Sequence, residues 1–284
     1  MFVKDQSNAV IIVDMKGVEV LEENESSVFL KIAAGEVWHE VVLWSLEQGY
    51  GGLENLSLIP GKCGAAPIQN IGAYGVELSE LLSSVTCIDK LTRAQFTLDK
   101  SRCGFGYRDS IFKKEYKDQY VITSITLRLT KSGHHKMNTS YGAIQDVLDN
   151  WKIKVPTLKD ISAAVIKIRQ GKLPDPLLIP NAGSFFKNPI ISSKQYQDLL
   201  KKYPDLPCYR MDEELVKVPA GWLIDQRNWK GIMIGQTGVH PKQALVLVNH
   251  GEEDGRKIYE LSEMIKQSVI ERYGIELERE VNVF

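Results

Sequence analysis

The chain has few cysteines and no cysteine pairs: Cys63, Cys87, Cys103 and Cys208 are scattered among 284 residues without a C-x-x-C spacing. That pattern argues against both a zinc site and a disulfide framework, and four free thiols are expected. Charge of one sign is equally scarce. Thirty-five basic residues stand against 36 acidic ones, with no long run of either, so nothing in the net field favours nucleic acid or a membrane surface. No stretch approaches a membrane span, and MFVKDQSNAVIIVD has neither the charged lead nor the apolar run of a secretion signal; a cytoplasmic location is expected. Neither G-x-G-x-x-G nor G-x-x-x-x-G-K-[ST] occurs, which sets aside a Rossmann domain and a P-loop enzyme. His39, His240 and His250 lack metal-ligand spacing, and His134 and His135 read as solvated, so no metal site is expected.

What the chain does have is bulk of another kind. At 43% hydrophobic it can bury a substantial core and is long enough for two domains. Its most informative stretch is IPGKCGAAPIQNIGAYG (Ile59–Gly75), where four Gly, three Ala and two Pro leave almost no side-chain volume. Glycines let backbone N–H groups approach a ligand closely, and amides in series form a concavity suited to phosphate oxygens. The alternative is a small-residue loop packed against a neighbouring strand.

The first part of the chain reads as strands with helical interruptions. AVIIVD (Ala9–Asp14) and VFLKIA (Val28–Ala33) are rich in strand formers, and Val37, Val41 and Trp44 recur at helical spacing until Gly49, Gly51 and Gly52. In YVITSITLRL (Tyr120–Leu129), Val121, Ile125, Leu127 and Leu129 alternate with Ser124, Thr126 and Arg128, which predicts a strand with one buried face at a sheet edge or in a meander. Thr157 and Asp160 are spaced as a capping box ahead of a helix that Gly171 should end. KLPDPLLIPNAG (Lys172–Gly183) holds three prolines, which puts a domain boundary near Leu173. Beyond it the pattern is mixed: a helix over Lys194–Tyr203, another with Pro219 in its first turn, strands near Gly231–Ile234 and Ala244–Val248, and a long helix from Gly255 to Gly274 with Ile258, Leu261, Ile265 and Val269 as its stripe. A final extended segment, IELEREVNVF, follows.

Several residues could carry chemistry. GYRDSIFK (Gly106–Lys113) sets Arg108 beside Tyr107 in a polar bend that otherwise reads as a surface turn. NAGSFFKNP (Asn181–Pro189) places Ser184 ahead of Phe185 and Phe186, which can anchor in the core and hold a hydroxyl rigidly; bonding to local backbone is the plainer role for a loop serine. No G-x-S-x-G elbow surrounds Ser184, so it is a poor hydrolase nucleophile. Glu280 lies in ELERE, a pattern typical of the wet face of an edge strand.

Taken together, GGLENLSLIPG (Gly51–Gly61), PIQNIGAYG (Pro67–Gly75), GYRDSIFK, RQGKLPDP (Arg169–Pro176), NAGSFFKNP, AGWLID (Ala220–Asp225) and HPKQALVLVN (His240–Asn249) resemble the UDP-N-acetylenolpyruvoylglucosamine reductases, nearly from end to end. Tyr141-Gly142 resembles the substrate-loop tyrosine of the family's type I branch. The resemblance implies an α+β protein. A vanillyl-alcohol-oxidase-type FAD-binding domain would span residues 1–172, with a remnant of its first lobe at 1–16 and its second lobe at 17–172. A mixed α/β substrate-binding domain at 173–273 would follow, and a C-terminal strand at 274–284 would return to the FAD-binding region. It implies a cytoplasmic flavoprotein oxidoreductase of peptidoglycan synthesis. NADPH reduces its FAD, and the enolpyruvyl ether of UDP-N-acetylglucosamine then takes the hydride to give UDP-N-acetylmuramate. By matching motifs, Gly61, Ala65, Ala66, Pro67, Gln69, Asn70, Gly72, Ala73, Tyr74 and Gly75 would lie on the cofactor, with Tyr107 and Arg169 near the flavin. Arg108 and Glu280 would serve the substrate carboxylate, and Ser184 would give the proton. Tyr141, Lys172, Asn188, Tyr209, Lys217 and Gln243 would bind substrate.

The chain departs from this family in two places. Members begin with a lobe ending in a Gly-rich turn and Ser-Asn, whereas MFVKD looks like the strand that leaves that turn, so the N-terminal lobe is expected to be missing; near the end, Asn282 stands where an arginine is usual. A missing lobe would expose strand edges and apolar surface, favouring poor stability or dimerisation. The competing readings are a truncated, non-catalytic chain that binds UDP-sugar without holding FAD, and another oxidase of the same flavoprotein superfamily.

Overall fold

The structure is a computed structural model that describes residues 11–283. Residues 11–169 and 170–283 form two compact units. The first holds β1 (Val18–Glu23), β2 (Ser27–Ala33), α1 (Trp38–Glu47), β3 (Gly72–Ala73), β4 (Val76–Glu77), α2 (Leu78–Leu81), β5 (Leu82–Asp89), β6 (Gln95–Asp99), β7 (Tyr120–Thr130), α3 (Gly142–Asn150) and most of α4 (Leu158–Lys172). Five strands make one antiparallel sheet in the order β1-β2-β7-β5-β6, and β3 and β4 form a separate two-stranded ribbon.

The sheet is built on β2 and β7, which pair without interruption from Ser27 opposite Thr130 to Ala33 opposite Ser124. Their apolar residues, Val28, Leu30 and Ile32 on one and Ile125, Leu127 and Leu129 on the other, pack with Val41 and Val42 of α1 into one buried core. Contrary to the edge or one-faced strand expected from its alternation, β7 is the central strand, and Ser124 and Thr126 are buried as well. β2 and β5 flank it, and the single 3-10 turn Cys63–Ala65 packs against it. The strand expected at Ala9–Asp14 fails over its described part: Ile11–Asp14 form no strand, and Ile11 and Ile12 are 89% and 73% exposed. Strand propensity without a pairing neighbour does not make a strand. The first strand among the described residues is β1, whose charged residues hid it from the hydrophobic pattern. The expected strand at MFVKD lies outside the described residues.

α3 and α4 pack on each other through Ile144, Leu148, Ala164, Val165 and Ile168. The capping box ahead of α4 forms as its spacing predicts, with Thr157 N–H donating to Asp160 Oδ2 at 2.8 Å and Asp160 N–H to Thr157 Oγ1 at 3.2 Å. α4 runs one residue past Gly171.

The second unit holds β8 (Asn181–Ser184), β9 (Ile190–Ser192), α5 (Ser193–Leu200), β10 (Tyr209–Arg210), β11 (Leu215–Lys217), α6 (Ala220–Asp225), β12 (Met233–Ile234), β13 (Thr237–Val239), β14 (Val246–Asn249) and α7 (Arg256–Tyr273). Its antiparallel sheets run β10-β11-β9 and β12-β13-β14-β8. Ile258, Leu261, Ile265 and Val269 are buried along α7, which Gly274 closes in the left-handed conformation at φ 62°. α5 stops short of the expected Tyr203, and Pro219 is the N-cap of α6 rather than a first-turn residue. Strand β13, only three residues long, carries too short a pattern to be read from sequence. Among the described residues no helix is long and apolar enough to cross a membrane. Cys63, Cys87 and Cys103 are free and buried in the first unit, and burial pushes their thiols up to about 12, about 12 and about 11.

The small-residue loop does pack on a strand. Gly64 N–H donates to Ala34 O at 2.9 Å, and a Cβ on Gly64 would stand 2.6 Å from the Ala34 Cβ and 3.2 Å from its backbone. Gly64→Ala is therefore expected to cost about 1–3 kcal/mol, read as a lower denaturant midpoint; an unchanged midpoint would show that the loop can lift away.

The segment before the loop carries a buried acid. Glu54 is 2% exposed, and burial raises its carboxyl above the usual range while its own backbone N–H, the Gly52 N–H and His135 pull it down. Against expectation His135 is not simply solvated, since its Nδ1 lies 2.9 Å from Thr130 Oγ1 on β7. A carboxyl whose folded pKa exceeds its unfolded value of about 4.3 stabilises the fold most below the latter, and that contribution fades as pH rises through the folded value. Glu54→Gln should thus gain stability relative to the parent chain as pH rises above the unfolded carboxyl value of about 4.3; a pH-independent difference in thermal midpoints would contradict this.

Candidate functional site

In the first unit Tyr141 and Arg169 lie against Tyr74, and Arg108, stacked on Tyr107, reaches Gly72 of the same small-residue loop. The Tyr74 hydroxyl hydrogen-bonds the Arg169 side chain, and its ring meets Tyr141 edge to face at 5.2 Å. Burial pushes the Tyr74 phenol up and the Arg169 guanidinium down; each partner favours the charged form of the other, while the Arg108 charge adds to the depression at Arg169. Arg169 Nε also donates to Leu58 O at 3.2 Å. Arg108, at φ 54°, lies over the Tyr107 ring and donates from Nη2 to Gly72 O. A Cβ on Gly72 would come within 2.9 Å of Arg108 Nη1, so only glycine lets the guanidinium approach this closely.

The loop presents two sides. Ala66 and Pro67 are buried, and Asn70 is spent internally: its Nδ2 donates to Glu77 Oε2 and Gly106 O, and its Oδ1 accepts from Ser79 N–H. Gln69 Oε1 accepts from Lys113 Nζ at 3.4 Å. These side chains brace the loop. Gly61, Ala65 and Gly75 are exposed on the other side, with Ala73 half-buried beside them. Gly61 sits at φ 110° with no described atom within 4 Å of where a Cβ would stand. The open backbone at Gly61 and Ala65 fits the phosphates of FAD.

In the second unit Ser184 ends β8, exposed, directly ahead of two phenylalanines that are each 1% exposed. Glu280 joins it there, because the C-terminal segment bonds alongside: Glu280 N–H donates to Phe185 O and Lys187 N–H to Glu278 O, both at 2.9 Å. Asn188 Oδ1 accepts from Ala220 N–H at 2.9 Å at the start of α6, where Gln243 also lies, its Oε1 3.3 Å from the Cβ position of Gly221. Tyr209 and Lys217 face each other across β10 and β11, the ammonium 5.8 Å from the ring centre. Lys172 ends α4, exposed.

Sequence reasoning missed Asn55 and Asn138. Asn55 is 1% exposed, and its Nδ2 donates at 2.9 Å to both Tyr74 O and Asn138 O. The available signal was a pair of polar residues, Glu54 and Asn55, set between Leu53 and Leu56.

Residues 175–284 match the family described as UDP-N-acetylenolpyruvoylglucosamine reductase, C-terminal domain, and residues 2–92 match an FAD binding domain. UDP-N-acetylenolpyruvoylglucosamine reductases from Flavobacterium johnsoniae and Amoebophilus asiaticus are each 49% identical over 283 residues, covering 100% of this chain and 84% and 83% of theirs. The Pseudomonas aeruginosa enzyme is 44% identical over 284 residues, 100% of this chain and 83% of its own. The crystal structure of the Thermus caldophilus reductase shares the fold with a TM-score of 0.60 at 23% identity, over 89% of this chain and 72% of that one. An FAD-binding sequence in the first unit, a reductase-specific one in the second, and near-half identity along the whole length converge: the chain belongs to the UDP-N-acetylenolpyruvoylglucosamine reductase family.

Proposed function

We propose that this chain reduces the enolpyruvyl ether of UDP-N-acetylglucosamine to UDP-N-acetylmuramate with NADPH as reductant, in the cytoplasm. It is an FAD-dependent oxidoreductase, as its family and its FAD-binding sequence require. When bound, FAD supplies the hydride chemistry that links NADPH to the enolpyruvyl double bond. The exposed backbone at Gly61 and Ala65 would hold its phosphates, with Tyr107 and Arg169 near the ring system.

Adding hydride at the terminal carbon of that double bond sends negative charge toward the carbon bearing the carboxylate. A guanidinium fork such as Arg108 suits a carboxylate gaining charge, because donors fixed where charge develops lower a barrier more than ground-state contacts do. Glu280 can hydrogen-bond the same group when protonated. Ser184 would deliver the proton that completes the reduction. Serine is a weak acid, and what supports this role is its setting: a hydroxyl held rigidly by two buried rings, with the Glu280 backbone hydrogen-bonded to the next residue. Tyr141, Lys172, Asn188, Tyr209, Lys217 and Gln243 would hold the sugar nucleotide. The cations among them supply local positive charge for the diphosphate, which a net charge of −1 cannot.

Ser184→Ala should leave reduction of the bound flavin by NADPH intact while turnover of the enolpyruvyl sugar falls by about 10²–10⁴-fold. Stopped-flow measurement of the two half-reactions separates them. Equal loss of both, or retention of both, would remove Ser184 from the proton step.

A further inference from the structure

Asn55 lies on neither the cofactor loop nor the Tyr141 segment, yet it is bonded to both. One Nδ2 proton goes to Tyr74 O in the loop and the other to Asn138 O, three residues ahead of Tyr141, each at 2.9 Å. Two carbonyls on one side fix the amide's orientation, since its oxygen would repel both. Oδ1 therefore points the other way, buried and without a partner among the described residues. A stranded buried acceptor is costly, and an apolar side chain could have filled the volume without it. The two N–H bonds are what the residue provides.

The segments it joins need joining. Tyr74 is held in the left-handed region at φ 50°, a conformation a tyrosine adopts only when its surroundings impose it. Asn138 Nδ2 makes a second tie, donating to Gly75 O at 3.1 Å, and its Oδ1 accepts from Ser140 N–H and Oγ. The product of these bonds is the edge-to-face contact of Tyr74 with Tyr141, with Arg169 on the Tyr74 hydroxyl. Both Asn55 hydrogen bonds go to backbone carbonyls. The residue sets the backbone on which two of those side chains stand.

We infer that Asn55 is a positioning residue for substrate binding, a clasp that holds the Tyr141 segment against the cofactor loop. The inference rests on the assignment of Tyr141 to substrate binding. Asn55→Asp keeps the shape but puts a carboxylate against two carbonyls. Hydrogen exchange measured on the whole chain should quicken about tenfold or more in residues 72–75 and 136–142 together, with β2 and β7 unchanged. This readout needs neither flavin nor turnover, so it tests the clasp even if the reductase reading fails. In the active enzyme the loss should fall on KM for the enolpyruvyl sugar, about tenfold, rather than on kcat, and should vanish in a Tyr141→Ala background, because the clasp acts through that ring. Should Asn55→Asp fail to fold, Asn138→Ala, which cuts the tie to Gly75 and the local bonds to Ser140 while leaving the Asn55 bond to Asn138 O, must still quicken exchange in the same two segments. Exchange that quickens in one segment alone, spreads through the sheet, or leaves both unmoved overturns the clasp. So does a KM effect that adds to that of Tyr141→Ala.

Discussion

The first unit depends on how closely a seventeen-residue loop rich in Gly, Ala and Pro can lie on the sheet and the turn that follows β2. Contact between Gly64 and Ala34 sets that distance, because no methyl group fits between them. With the loop seated there, Ala66 and Pro67 enter the core, and the exposed edge at Gly61 and Ala65 is left as bare backbone. Residues that must be small to pack there also leave the opposite side as bare, exposed backbone.

From that seat the rest of the first-unit site is placed by hydrogen bonds more than by apolar packing. Asn70 braces the loop against Glu77, Gly106 and Ser79. Arg108 reaches back to Gly72, and Arg169 ties Tyr74 to Leu58. Polar side chains with fixed geometry tolerate little displacement, and they are well suited to holding charged groups at set positions in a partly desolvated site. The second unit uses another device at Ser184, where two buried phenylalanines anchor the chain and the neighbouring strand brings Glu280 alongside.

How far the sequence shows this depends on the range of the interaction. Features set by neighbours along the chain are legible: the Thr157–Asp160 cap, the Gly274 terminus and the buried stripe of α7 all follow from spacing. Features set by the partner across space are not. Ser124 and Thr126 look like a wet strand face until the sheet and the Cys63–Ala65 turn enclose them, and Ile11 and Ile12 look like a strand but pair with nothing in the described chain. β1 shows the converse, since pairing with β2 makes a strand of a sequence with little hydrophobic signal. At the site, composition alone left the small-residue loop open to two readings, a phosphate cradle or a packed loop, and the packing at Ala34 is what the structure shows. The roles of Ser184 and Glu280 came only from the family resemblance, because a serine before two aromatics and a glutamate in an alternating tail have many ordinary uses. Asn70, expected on the cofactor, has its side-chain amide engaged by Glu77, Gly106 and Ser79 beyond the loop, pairings that no local pattern announces.

The raised thiols of the first unit have a chemical consequence. Only a thiolate attacks an alkylating reagent or a disulfide at speed, and at neutral pH Cys63, Cys87 and Cys103 hold their protons within the core. While the sheet is closed these sulfurs are inert; once it opens they become ordinary cysteines. The chain thus carries natural reporters of opening in its first unit, and the rate at which those thiols become reactive measures how often the cofactor-binding sheet comes apart.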